Sequence, residues 1–299
     1  MSNENLQNHQ EEINLKEILN IILDKKLLIS SITLIAAVLS VIYSLSLPNI
    51  YSSNALIAPT SNDTSMNTKL GAFSSIAGMV GMDMPSQSGD KTAEAIERIN
   101  SYDFFIDEFL PNIKFANLVA AKSWDKSTNT VLYNKSIFDP NIKKPSNQEA
   151  FEIYKSILDI TQDSRTSFVV LKIEHVSPFI AQKWLELIIT QINNYMRELD
   201  KTVAKNSIEF LNISALETNL SGTKEAIFNL MENQIQVLTL AEATNDYVFK
   251  RISSPIAPER KSKPSRASIC ISGTIFGFIF SIFLSLFLHY FRRVIQKFS

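Results

Sequence analysis

Two stretches decide the reading of this chain: residues 27–47, LLISSITLIAAVLSVIYSLSL, and residues 267–290, ASICISGTIFGFIFSIFLSLFLHY. Neither contains Asp, Glu, Lys or Arg. Each exceeds the roughly 18 apolar residues that a helix needs to cross a hydrocarbon layer about 30 Å thick. Everything between them is polar-patterned and long enough to bury a core of its own. The layout predicts a hairpin through one membrane, with a large middle segment on one side and two short tails on the other.

Composition narrows the function. The 29 Lys and Arg nearly balance the 30 Asp and Glu, so no basic face points to nucleic acid. Cys270 is the only cysteine and falls inside the second apolar run, where it reads as a small packing residue. A signal peptide cleaved near Ser53 and Ala55 is the competing reading of the first run. Signal sequences have apolar regions of about 7–15 residues after a short basic start. Here the run follows Glu4, Glu11, Glu12, Glu17 and Asp24.

Orientation follows from the basic flanks. Lys16, Lys25 and Lys26 precede the first run and none follows it before Lys69, which places the N-terminus in the cytoplasm. Arg292, Arg293 and Lys297 after the second run agree. Arg260, Lys261, Lys263 and Arg266 oppose it from the translocated side, but long loops cross largely regardless of charge. That basic cluster is expected against lipid headgroups.

The chain divides accordingly into a tail (1–26), a membrane helix (27–47), a middle domain (48–266), a second membrane helix (267–290) and a tail (291–299). Glu11–Lys26 carries Ile13, Leu15, Ile18, Leu19 and Ile22 near one side, a surface-lying amphipathic lead-in. Tyr51–Ala58 reads as a strand ended by Pro59. Leu70–Met84 holds Gly71, Gly78 and Gly81 among apolar residues. It lacks phosphate-loop spacing and is expected to pack as an apolar loop. Thr92–Leu110 is helical up to Pro111, a loop-rich region follows, and Gln148–Leu158 is helical again. Leu158–Gln162 and Phe168–His175 form paired strands, since Val169, Leu171 and Ile173 alternate with Lys172 and Glu174.

Ser177-Pro178 opens the longest helical pattern, cap residue followed by proline. Trp184, Ile188, Tyr195 and Leu199 keep its spacing, and no breaker appears before Gly222. Lys224–Ala243 is a second helix placed to return alongside, so residues 177–243 form a long helical hairpin. Tyr247–Ile252 is a closing strand before Pro255, Pro258 and Pro264. A hairpin of this length leaves apolar surface wet unless copies assemble, so Trp184, Ile188, Tyr195 and Leu199 are the expected oligomer contacts.

Catalytic groups do not converge. His9, His175 and His289 are far apart in sequence, there is no cysteine pair, and Glu94 and Glu97 read as a solvated helix face. His175 reads as a surface or strand-end residue. No catalytic, metal or cofactor site is predicted. The second apolar run instead repeats Gly273, Gly277, Ser281 and Ser285 every four residues, and the first repeats Ala36, Ser40 and Ser44. Small residues let helix backbones approach closely in lipid, within or between subunits, although they are common in membrane helices anyway.

Tyr247-Val248-Phe249, Ile252-Ser253-Ser254-Pro255 and Ala257-Pro258-Glu259-Arg260-Lys261-Ser262-Lys263-Pro264-Ser265-Arg266 precede the final apolar run. This proline-rich, basic approach resembles the Wzz-type polysaccharide co-polymerases, the chain-length determinants. Glu12-Ile13 through Lys25-Lys26, Met231-Glu232-Asn233-Gln234 to Leu240, and the loop around Gly71–Gly81 are similar too. The resemblance implies an α+β fold: a membrane-proximal α/β domain with a long extended helical hairpin, flanked by two transmembrane helices. It implies a homo-oligomer in a bacterial inner membrane, with both termini cytoplasmic and most of the chain periplasmic. It implies no enzyme activity of its own, but control of the length of a surface polysaccharide such as O-antigen. The partners would be a separate polymerase in the same membrane, membrane lipid and the growing glycan.

Some relatives carry a tyrosine kinase after the second membrane helix, which is not expected here because the sequence stops at Ser299. Pro255, Pro258, Pro264, Lys261, Lys263 and Arg266 would form the membrane-entry motif. Rival readings are a two-helix membrane sensor with a periplasmic ligand-binding domain, a capsule or exopolysaccharide export component, and an enzyme with a dispersed glycan site. The tail Phe291–Ser299 is too short for a sensor's output module.

Overall fold

The computed structural model describes residues 21–60, 87–134 and 144–298. The Gly71–Gly81 loop and most of the Glu11–Lys26 lead-in therefore lie outside the described residues. The chain falls into two compact units: one made of its two ends, up to Pro48 and from Lys263, the other Asn49–Ser262.

The first unit is a pair of helices, α1 (Lys26–Ser46) and a C-terminal helix (Arg266–Phe298). Both are long and apolar enough to cross a membrane, and most of their side chains are exposed within the chain rather than buried in a core.

The second unit starts with β1 (Tyr51–Pro59) and continues with α2 (Gln87–Ile99). The sequence predicts one helix from Thr92 to Leu110, but it breaks at Asn100-Ser101. Ser101 Oγ accepts the Phe104 N–H at 3.2 Å and so starts a new helical turn, Tyr102–Phe104. That turn widens into a π-helical one over Phe105–Phe109 and tightens at Leu110–Asn112. This irregular run aims Phe105 and Phe109 at Tyr154, with ring centroids 5.2 Å and 4.8 Å away.

Next come α3 (Phe115–Val119), β2 (Ala121–Asp125) and β3 (Thr130–Tyr133). This hairpin stands where the sequence reads as loop, because strands of five and four residues are too short for alternation to show. Its turn is built by Asp125, whose Oδ1 accepts the Ser127 N–H at 2.9 Å, and by Asn129 at φ 52°. A capping box of Ser146 and Glu149 opens α4 (Asn147–Ile157), followed by β4 (Leu158–Gln162) and β5 (Val169–His175).

Then α5 (Pro178–Glu217, 40 residues) and α6 (Ser221–Ala243) form the helical hairpin, and β6 (Phe249–Ser253) closes the sheet. The C-terminal helix of the first unit is α7. The four main strands run β4-β5-β1-β6, with each neighbouring pair antiparallel. Val169, Leu171 and Ile173 point inward against the first half of α5, where Leu185, Ile188, Ile189 and Ile192 are fully buried. Past Met196 only Ala204 and Ala215 of α5 are buried. At about 1.5 Å per residue the helix is roughly 60 Å long, so its second half relies on α6 for cover.

Asn193 fastens the closing strand to α5. Its Oδ1 accepts the N–H groups of Val248 (2.8 Å) and Phe249 (2.9 Å), and its Nδ2 donates to the Phe249 carbonyl at 3.0 Å and the Ile189 carbonyl at 3.1 Å. Every hydrogen-bonding position of a buried amide is thus filled. Asn193→Leu strands three backbone groups and is expected to cost on the order of 3 kcal/mol, read as a lower unfolding temperature of the full chain in detergent. An unchanged melt would mean that β6 is held by its strand pairing alone.

Candidate functional site

Among the described residues there is no group of three His, Cys, Asp or Glu side chains arranged to hold a metal. His175 is not a surface residue, as its sequence position suggests, but 7% exposed. The Ser177 N–H donates to its Nδ1 at 2.9 Å, so Nε2 carries the proton and donates to the Asn117 carbonyl at 3.0 Å. The ring also meets Trp184 edge-on at 4.8 Å. Burial pushes the imidazole below its ordinary value, since protonation would charge a dry site and place a second proton on Nδ1.

The folded state therefore binds this proton less readily than the unfolded chain. Stability from this site is complete above about 6.5 and is lost as pH falls below it. Unfolding of the full chain at pH 7.5 and pH 5 should show this loss, and His175→Gln should flatten it. Equal pH dependence in both proteins would contradict the assignment.

The small-residue stripes meet. Where Gly273 stands, a Cβ would lie 2.5 Å from the Ser40 Cβ, and a Cβ at Gly277 would be closer still to that of Ala36. Ser44, Ser281 and Ser285 are buried in the same unit. The Thr33 and Ser281 hydroxyl oxygens are 3.4 Å apart. Ser44 Oγ and Ser285 Oγ have no partner among the described residues, so dispersion between close backbones supplies the contact rather than a hydrogen-bond ladder. Gly277→Leu inserts a side chain where even a methyl group collides, whereas nothing lies within 4 Å of a Cβ at Gly222. Gly277→Leu should separate α1 from α7, read as a lost short distance between spin labels on the two helices, while Gly222→Leu should leave that distance intact.

The membrane-entry residues fall into both units. Pro255 is buried and its carbonyl accepts from Gln182 Nε2 at 3.1 Å, while the Ile256 carbonyl accepts from Ser53 Oγ at 2.8 Å. Pro258 is half-buried, Lys261 and Lys263 are exposed, and Pro264 and Arg266 are half-buried. The side chains of Arg292, Arg293 and Lys297 lie outside the described ones. Ser53 and Ala55, the alternative cleavage position, are buried in β1.

Of the four expected oligomer contacts, two lie in the core and two at its margin. Trp184 and Ile188 are buried in the domain's own core, with Trp184 against Phe109 at 5.6 Å. Tyr195 is half-buried, accepting from Arg98 Nη1 at 2.9 Å, and Leu199 is half-buried. The first half of α5 spends its apolar stripe on the sheet. The apolar side chains left in solvent are farther along: Phe210, Ile213 and Leu216 on α5, and Phe228, Leu230 and Ile235 on α6. Helical periodicity alone does not say where a helix leaves its sheet, so it does not separate core positions such as Trp184 from exposed ones such as Phe210.

These features define a class: an α+β domain with a long helical hairpin, bracketed in sequence by two closely packed apolar helices. Residues 11–109, about a third of the chain, match the family model described as Wzz, chain length determinant protein. No curated protein matches the chain. Among solved structures it is similar to a full-length bacterial polysaccharide co-polymerase, at 13% identity over 94% of this chain and 99% of the other, with a TM-score of 0.44. A fragment of WzzB, a polysaccharide co-polymerase from Salmonella Typhimurium, aligns at 14% identity over 72% and 100%, TM-score 0.31. A mutant of the Shigella flexneri lipopolysaccharide O-antigen chain-length regulator aligns at 12% over 71% and 100%, TM-score 0.23.

Proposed function

We propose that this chain is a non-enzymatic polysaccharide co-polymerase that regulates the length of a surface polysaccharide such as O-antigen. The observation that carries the reading is the Wzz match across residues 11–109, which takes in α1, β1 and α2. The two apolar helices support placement in a bacterial inner membrane. α1 and α7 span it, residues 48–266 lie on the periplasmic side, and both tails are cytoplasmic, following the lysines before α1. The seam of Gly273, Gly277, Ser281 and Ser285 on Ala36, Ser40 and Ser44 holds the spanning pair together.

Copies of the chain assemble through the exposed apolar side chains of the α5–α6 hairpin, whose burial offsets the cost of leaving them in water. The oligomer works beside a separate polymerase and sets how long the growing glycan stays with it. Deleting the gene in its host and resolving the surface polysaccharide by size tests this. A clustered length distribution should collapse to a short or random ladder while polymer is still made. Loss of all polymer would indicate an export component instead, and an unchanged ladder would remove the reading.

A further inference from the structure

One end of the Asn49–Ser262 unit carries aromatic side chains that neither its core nor the assembly surface uses. Trp124 of β2 meets Tyr51 of β1 edge-on at 5.5 Å and Phe179 of α5 at 6.0 Å. Phe179 is 44% exposed. The Trp124 Nε1–H donates to Asn129 Oδ1 at 3.0 Å, so the indole has its polar edge satisfied while its apolar body remains partly open. Ile256, 68% exposed, lies nearby in the fold, since its carbonyl accepts from Ser53, two residues after Tyr51. Exposed cations accompany these rings: Lys122 and Lys126 on the β2–β3 hairpin, and Lys261 on the chain leading to α7.

Covalent reach limits where this end can be. Five peptide steps join Ser46, the last residue of α1, to Tyr51, and extended chain covers at most about 18 Å in five steps. The outgoing chain is pinned at the same place, because the Ser262 N–H donates to the Ile50 carbonyl at 2.8 Å. Four more steps lead to Arg266 at the start of α7, at most about 14 Å. A headgroup layer occupies roughly 5–8 Å on each side of the hydrocarbon. Whatever the domain's orientation, the aromatic end is tethered within reach of that layer.

Aromatic rings with a satisfied polar edge, set among lysines, have the chemistry of a membrane interface, where ring bodies meet glycerol and upper acyl carbons and cations meet phosphate. We propose that the Tyr51–Trp124–Phe179 cluster rests in the phospholipid headgroup layer, so that the domain touches the bilayer directly as well as through its two helices. The proposal depends on α1 and α7 spanning the membrane.

The test uses the full chain in vesicles of phosphatidylcholine and phosphatidylglycerol, with lipid brominated either near the headgroup end or near the terminal methyl of its acyl chains. The chain has two tryptophans, and Trp184 is 4% exposed in the core. Emission of the wild type should fall with the shallow quencher and less with the deep one. That loss should vanish in Trp124→Phe, whose remaining Trp184 emission spectrum reports that the domain is still folded. Equal quenching of both proteins overturns the proposal. So does a Trp124 shielded from aqueous iodide yet untouched by brominated lipid, which would mean that a second copy covers it. Release of the chain from vesicles by alkaline carbonate would remove the spanning-helix reading itself, and the proposal with it.

Discussion

The hydrogen bond from the Ser262 N–H to the Ile50 carbonyl expresses the constraint on which the domain is built: the chain must leave where it entered. With the two apolar helices spanning one membrane, as proposed, that becomes a requirement. The antiparallel sheet satisfies it by putting the first strand, β1, at the centre beside both β5 and the last strand, β6. Asn193 then ties the start of that last strand to the long helix with three hydrogen bonds. A chain fixed at one place can still extend away from it, and α5 and α6 do so as an antiparallel pair.

The helix pair solves a different problem. If the pair spans a membrane, as proposed, no hydrophobic effect pulls the two apolar helices together there, and close approach must supply the attraction. Gly273 and Gly277 remove the atoms that would hold α7 away from Ser40 and Ala36. The outward faces keep the bulk: Phe276, Phe280, Phe283 and Phe287 are exposed on α7, as lipid-facing side chains would be. Small side chains stand at the seam and large ones outside, the arrangement that a hydrocarbon surrounding would favour.

Much of this was legible in the sequence because periodicity is a local signal. The alternation of Val169, Leu171 and Ile173 with Lys172 and Glu174 reads as one strand face, and the stripes of four-residue spacing identify which helix faces meet. What escaped depends on long-range packing. The β2–β3 hairpin is too short to alternate visibly, yet it supplies Trp124. His175 reads as polar but is buried because a neutral imidazole can satisfy both nitrogens against backbone groups. Trp184 and Phe210 share one helix and one apolar character; only the extent of the sheet makes the first a core residue and the second a surface one.

The central claim is that an assembly of the helical hairpins sets glycan length. The most direct measurement is the oligomer mass of the full chain in native-lipid nanodiscs, made alongside the polysaccharide length distribution of cells carrying the same variant. The informative substitutions are Phe210→Asp and Leu216→Asp, which charge a face that is already exposed and leave the core untouched. The account predicts that oligomer mass and length distribution shift together. A broken oligomer with an unchanged length distribution would contradict it.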